Sequence, residues 1–245
     1  MSDLPIIEQS DYLAGRLNPR PGHYLYLHLS DLLMALKGEA SDQPIRVLDF
    51  GCGGSPYRSL FPSSHYARAD IPLTSDLDFV IQDDGTVNAP SNTFDLVLST
   101  QVAEHVQNPS IYFSECYRVL KPGGRLICST HGFFEEHGCP FDFQRWTLEG
   151  LQRDIKQTGF VISKAAKLTT GARCGIFFID CGVLQANSRD VLGFMLTGVR
   201  VVHKLLRPLT HRLCDQYLSG HRVVTQSLDA HRWYCGVFVV AQKPV

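Results

Sequence analysis

Residues 45–56 run from an apolar segment, Ile45 to Phe50, straight into Gly51-Cys52-Gly53-Gly54-Ser55-Pro56. A short apolar run bounded by glycines predicts a buried strand of a parallel sheet. Gly51 and Gly53 have no Cβ, so the backbone there is able to turn tightly and lie against a ligand. Ser55 is placed to cap a following helix, Pro56–Phe61, and proline suits its first position. Strand, glycine loop and helix in succession predict a nucleotide-type cofactor cradle at the edge of an open α/β sheet. A dinucleotide fingerprint needs a third glycine where helix and strand pack, and Pro56 stands there instead.

The rest of the chain alternates strands and helices. Residues 1–22 read as irregular. Leu25, Leu29, Leu32, Leu33 and Leu36 recur at helical spacing, predicting a covering helix over His23–Lys37 that Gly38 closes, with Tyr24 and Tyr26 within reach of a site. Strand one is Arg46–Phe50. Strand two, Ser64–Ala69, ends at Asp70. Strand three, Leu77–Gln82, runs into Asp83-Asp84-Gly85. Strand four, Phe94–Ser99, runs into Thr100-Gln101-Val102-Ala103-Glu104-His105-Val106. Asn108 and Pro109 start a helix through Leu120, Lys121-Pro122-Gly123-Gly124 stops it, and Arg125–Thr130 is strand five.

Taken in order, D-F-G-C-G-G-S-P, F-D-L-V-L-S, E-H-V and R-V-L-K-P-G-G-R-L resemble the class I S-adenosylmethionine-dependent methyltransferases, of the ubiquinone-biosynthesis type within the methyltransferase type 11 family. The resemblance runs from about Arg46 to Thr130. It implies a Rossmann-like α/β fold: a seven-stranded sheet with helices on both faces and the last strand antiparallel. It also implies S-adenosyl-L-methionine as cofactor. Gly51 and Gly53 would approach its methionine part, with Asp49 orienting the loop or the amino group. Asp70 would accept both ribose hydroxyls and Asp83 the adenine amino group; Cys52, Asp84 and Gln101 complete the set. The plain alternatives are a strand-end acid at Asp70 and an ordinary Asp-Gly turn at residues 83–85.

After strand five, residues 131–147 (HGFFEEHGCPFDFQRWT) leave the sheet edge where ligands bind in such folds. The loop resembles a segment of methyltransferases associated with glycan assembly. If the acceptor is a hydroxyl it needs a base, and His137, His105 and His131 are the candidates. His137 is favoured, with Asp142 to orient or assist it and Arg145 to bind an acidic acceptor group. Thr147 should cap a helix over Leu148–Thr158, closed by Gly159, and Phe160–Leu168 is strand six.

The last strand, Tyr234–Ala241, comes only after an interval longer than an ordinary loop. Residues 190–207 within it are apolar but carry Arg200, Lys204 and Arg207, too charged to span a membrane, and Pro208 should end that helix. It would form a lid, lie on a membrane surface or make a dimer contact. The organisation expected is one methyltransferase domain over 1–245: an N-terminal helical cover (1–44), a cofactor-binding core (45–168), a helical insertion or lid (169–233) and the last strand (234–245).

The 245 residues carry a formal net charge of −1 and are 44% hydrophobic. Near-neutrality gives no reason to expect nucleic acid as partner. Met1–Ser10 lacks the apolar core of a signal peptide. Eight cysteines without a C-x-x-C pair point to buried, reduced thiols in a cytoplasmic protein and to no metal site. The function expected is O-methylation of a small-molecule or glycan-linked acceptor, such as a lipid-linked saccharide, with possible peripheral membrane contact through 190–207. Quinone or polyketide methylation is the alternative; a non-catalytic binding subunit and a nicotinamide dehydrogenase are the rivals in other classes.

Overall fold

The computed structural model describes residues 15–72, 76–138, 141–185, 191–226 and 229–245. Most of the expected irregular N-terminal stretch (1–14), Cys139 and Pro140 of the loop, and Asp190 lie outside them. The elements are α1 (Tyr26–Lys37), β1 (Arg46–Phe50), β2 (His65–Asp70), β3 (Phe79–Val80), β4 (Phe94–Thr100), α2 (Pro109–Val119) and β5 (Leu120–His131). They continue with α3 (Leu148–Gln157), β6 (Val161–Thr170), α4 (Gly171–Gln185), α5 (Val191–Tyr217), β7 (Val223–Val224) and β8 (Tyr234–Gln242).

The strands form one sheet in the order β3-β2-β1-β4-β5-β8-β6-β7. β1 to β5 pair in parallel, and β8 inserts antiparallel between β5 and β6. The seven strands implied by the sequence are present, and β7 adds a two-residue antiparallel edge beside β6. Strand order reverses between β1 and β4, so the crevice lies at the carboxyl ends of these two strands.

Alternate residues build two cores, because successive side chains in a strand point to opposite faces. Leu48, Val97, Leu126 and Cys128 pack under Tyr112 and Phe113 of α2 and Leu151 and Ile155 of α3. Val47, Leu96, Leu98 and Ile127 pack under Leu32, Leu33 and Leu36 of α1. The expected caps are in place: Asn108 Oδ1 accepts from Ile111 N and Thr147 Oγ1 from Gly150 N.

Two expectations are corrected. Ser55 does not cap a helix. It sits at φ +53, its hydroxyl accepts from Arg68 Nε at 3.2 Å, and only a 3-10 turn, Arg58–Leu60, follows. Pro208 does not end α5, which continues to Tyr217. Proline inside a helix costs about 3 kcal/mol, and here contacts on either side hold the helix. Arg207 donates to Gly22 O at 3.1 Å, and His211 takes Gly22 N–H on Nδ1 and meets Asp180 at 2.7 Å on Nε2.

The helical insertion docks on α1 through buried charge. Arg173 of α4 is fully buried and donates to both oxygens of Asp31 (2.7 and 2.9 Å) and to Asp215 of α5 (2.9 Å); Arg222 joins at 2.9 Å. α5 is turned inside out. Arg207 and His211 are buried against Asp180 of α4, while Val199, Val202, Leu205, Leu206, Leu209 and Leu213 are 45–74% exposed. Among the described residues no helix is long and apolar enough to cross a membrane.

Candidate active site

The crevice has a glycine-loop side and a histidine side. On the first, Asp70 at the tip of β2 reaches back to the loop after β1. Its Oδ2 accepts Gly53 N–H at 2.7 Å and its Oδ1 accepts Ile71 N–H at 2.8 Å. Oδ2 also faces the Cys52 thiol, so Oδ1 is the oxygen that keeps a further lone pair for a ligand. Gly51 and Cys52 both donate their N–H to Ala69 O, which fixes the loop's path. The two glycines serve different ends. At Gly51 (φ +78) a Cβ would lie 2.5 Å from Val102, so the absent side chain admits the turn after β4. At Gly53 (φ +48) nothing lies within 4 Å of a Cβ position, and the loop surface stands open. The Cys52 thiol lies 3.7 Å from Asp70, and burial, with Asp49 and Asp70 nearby, pushes its pKa up to about 12.

Asp49 is buried at the end of β1 and accepts the Tyr66 hydroxyl at 2.7 Å. Burial raises its pKa to about 7 despite hydrogen bonds from Tyr66 and Ser55. Asp83 and Asp84 lie in the exposed turn after β3. Asp84 takes both the N–H and the hydroxyl of Thr86 (2.9 and 2.7 Å), leaving Asp83 as the acid of this turn that is available to a base. Gln101 holds a left-handed φ of +56 at the tip of β4, and its amide bridges Arg16 (2.6 Å) and His28 (2.5 Å). It therefore braces the floor of the crevice with its side chain.

The histidine side is built by neighbouring strand ends. Pairing of Thr100 with Ser129 sets the turn carrying Glu104 and His105 beside His131, the last residue of β5. The loop then folds back: Phe143 N–H donates to Glu104 O and Trp146 N–H to His131 O, which brings His137 over the same place. Glu104 and His131 are buried, with Oε1 and Nε2 3.1 Å apart. His105 and His137 each stand with ring centroids 5.1 Å apart, and His137 lies equally far from His131. Phe134 stacks on His131 at 3.8 Å. Burial lowers the His131 pKa although Glu104 opposes it. Burial also pushes the Glu104 carboxyl up, but His131 and the Thr130 hydroxyl more than offset it, so the group lies below its usual range.

The three expected histidines thus come together. Asp142 is a clamp: it accepts His137 N–H at 2.8 Å and pairs with Arg145 through both oxygens (2.5 and 2.6 Å). The Arg145 hydrogen bonds hold its carboxyl well below the usual range. Arg145 is not available to an acidic acceptor, since its other N–H groups go to the carbonyls of Phe134, Glu135 and Gln144. Tyr26 turns away from the crevice and donates to Asp215.

Residues 48–128 match the family model described as Methyltransferase domain. Over these residues the chain is similar to a methyltransferase domain. Among named relatives, a ubiquinone biosynthesis O-methyltransferase of Maricaulis maris is 34% identical over 39% of this chain and 44% of its own length. One from Cereibacter sphaeroides is 35% identical over 36% and 42%. The matches therefore span less than half of these relatives. Among solved structures, the cyclase SpnF shares the fold over 97% of this chain and 92% of its own (TM-score 0.55, 20% identity). A methyltransferase-titled protein of Bacillus halodurans does so over 88% and 100% (TM-score 0.53, 16% identity).

The crevice has residues that sequence reasoning missed. His28 of α1 is buried, contacts Gln101, and lies 5.3 Å from His131 ring to ring. Burial holds its pKa well below the ordinary value, with His131 and Arg16 acting in the same direction. The signal was present: His28, Ser30 and Asp31 interrupt an otherwise apolar helix, and buried polar groups require partners. Arg16 and Phe134 carried no comparable signal.

Proposed function

We propose that the chain binds S-adenosyl-L-methionine in the β1/β4 crevice and methylates an oxygen of a small-molecule acceptor on the histidine side. The observation that carries the cofactor assignment is the Asp70–Gly53 link, which sets an acid with a spare lone pair on Oδ1 beside a bare glycine surface at the strand-order reversal. When bound, the cofactor supplies a methyl group activated by a sulfonium. The chain's own residues do the rest. Asp70 would hold the ribose hydroxyls, Asp83 the adenine amino group and Asp49 the ammonium. His137 is half-exposed and its Nδ1 faces Glu135 O at 3.2 Å, so Nε2 is the basic nitrogen presented to an acceptor hydroxyl. His105 is set the same way by Phe141 O at 2.6 Å. Phe134 and the folded-back loop exclude water, which alignment of an acceptor with the methyl carbon requires.

The names of the relatives favour a phenolic acceptor of the quinol class; they lend nothing to the saccharide acceptor suggested by the loop. The matched residues, 48–128, stop short of the loop and insertion that face the acceptor. The exposed apolar face of α5, with Lys204 and Arg212 exposed beside it, fits contact with an anionic membrane surface.

The test is calorimetric titration with S-adenosyl-L-methionine and S-adenosylhomocysteine, then methyl transfer from labelled cofactor to quinol and saccharide acceptors. Saturable binding and label on the quinol support the reading; no binding by the wild-type chain overturns it. For the membrane contact, flotation with anionic vesicles should be lost in a Leu205→Glu/Leu209→Glu variant. A chain that ignores vesicles and instead dimerises through this face would overturn that part.

A further inference from the structure

The histidine side holds an arrangement that a general base alone does not require. Glu104, His131 and His137 each offer one donor atom, and the three donors lie within 4.8 Å of one another. The side chains of Glu104 and His131 are 0% and 3% exposed. Glu104 Oε2 is held by the Thr130 hydroxyl at 2.7 Å. Its Oε1 lies 3.1 Å from His131 Nε2, yet has no aligned hydrogen-bond partner. A fully buried carboxylate oxygen without a donor is costly. Two ligands of one tetrahedral ion, each about 2.0–2.2 Å from it, stand roughly 3.3–3.6 Å apart. The 3.1 Å Oε1–Nε2 separation is slightly shorter than that and the pair is poorly aligned, so an ion entering between them would need to draw the two atoms only a little apart.

His137 completes the set from above. A carbonyl only accepts, so Glu135 O fixes the proton on His137 Nδ1 and leaves Nε2 with its lone pair. The surroundings hold the three in place, as outer groups do around a metal. Asp142, locked by Arg145, accepts the His137 backbone N–H, and Phe134 packs on His131. His105 Nε2 lies 4.0 Å from Glu104 Oε1, just outside the set.

We propose that Glu104, His131 and His137 bind one divalent transition-metal cation of the zinc class, with coordination positions left open toward the crevice. Two imidazoles and one carboxylate suit such an ion. An acceptor hydroxyl entering an open position would lose its proton more readily, and with His137 on the ion the proton would pass to His105, whose Nδ1 faces Phe141 O; this consequence rests on the methyl-transfer reading above, whereas the ion site does not.

The experiment uses the full chain, stripped with a chelator and titrated with cobalt(II) and then zinc, without cofactor or acceptor. One equivalent should bind per chain, with visible cobalt absorption and no thiolate-to-cobalt band. His137→Ala changes the half-exposed ligand and should weaken binding at least about 10-fold while circular dichroism stays native. Glu104→Gln should do the same, and a variant that fails to fold is set aside in favour of His137→Ala. Failure of either ion to bind saturably, an affinity unchanged in His137→Ala, or a thiolate band placing the ion at Cys174 and Cys235, whose sulfurs lie 3.5 Å apart, would overturn the proposal. Metal binding without methyl transfer would retain the ion and sink the enzyme reading; methyl transfer by a chain that binds no metal would do the reverse.

Discussion

Asp70 Oδ2 accepts the Gly53 N–H at 2.7 Å and so joins the tip of β2 to the loop after β1. Replacement of Asp70 by Ala removes both the brace and a charged acceptor. Affinity for S-adenosylhomocysteine should fall by about 10- to 100-fold, measured by calorimetry. Unchanged affinity would mean that the cofactor does not use this acid.

Gly51 and Gly53 should separate in their effects. Gly51→Ala forces a Cβ to within 2.5 Å of Val102 at a left-handed φ and should cost about 2 kcal/mol or more, lowering Tm by roughly 4–8 °C. Val102→Ala in the same chain should recover part of that loss. Gly53→Ala meets no atom and carries only the left-handed backbone cost at φ +48, so its larger effect should be on cofactor affinity. Equal loss of stability in the two single variants would contradict this division.

If the buried Asp49 carboxyl meets the cofactor's amino group as proposed, it should make cofactor binding sensitive to pH. Its pKa is about 7, against 3.8 for an unperturbed acid, so the folded chain holds this proton more tightly than the unfolded one. Its contribution to stability is therefore full below about pH 4 and is lost as pH rises through 7. An ammonium binds the ionised form, so affinity for S-adenosylmethionine should strengthen from pH 6 to 8, by about 10-fold at most for one group. Asp49→Asn should flatten both profiles. A pH-independent affinity in the wild-type chain would remove Asp49 from the amino-group site.

Asp31→Ala would strip Arg173 of its principal partner inside the molecule. Removing one member of a buried pair costs about 3–5 kcal/mol, read by urea unfolding. Asp31→Leu combined with Arg173→Met should be markedly less damaging than Asp31→Ala. If the single change costs under about 1 kcal/mol, the comparison with exposed pairs applies instead and the clamp is weak.

The α/β sheet with its antiparallel last strand was legible because it rests on local signals, apolar runs and glycine turns, and the acids at the strand tips could be named as cofactor candidates for the same reason. The three histidines were legible as a group since their loops leave adjacent strand ends. Their joint geometry with Glu104 was not, because the loop is folded back by main-chain bonds, Phe143 to Glu104 and Trp146 to His131, that no side-chain pattern encodes. Arg145 was misread for the same reason: sequence shows a cation near a site, whereas three carbonyls and Asp142 already occupy it. Pro208 shows tertiary contact overriding a local rule, with Arg207 and His211 anchored on either side of it.

β8 lies between β5 and β6 in space but follows both α4 and α5 in sequence. During synthesis the two halves of the sheet therefore wait, with β5 and β6 each exposing an unpaired edge, until about residue 242 has emerged. The inserted helices have that interval in which to assemble, and the last strand then closes the sheet over a hairpin already made. A chain halted anywhere in 190–233 would keep both edges open and invite strand exchange with its neighbours, so premature stops should yield aggregate rather than a smaller folded domain.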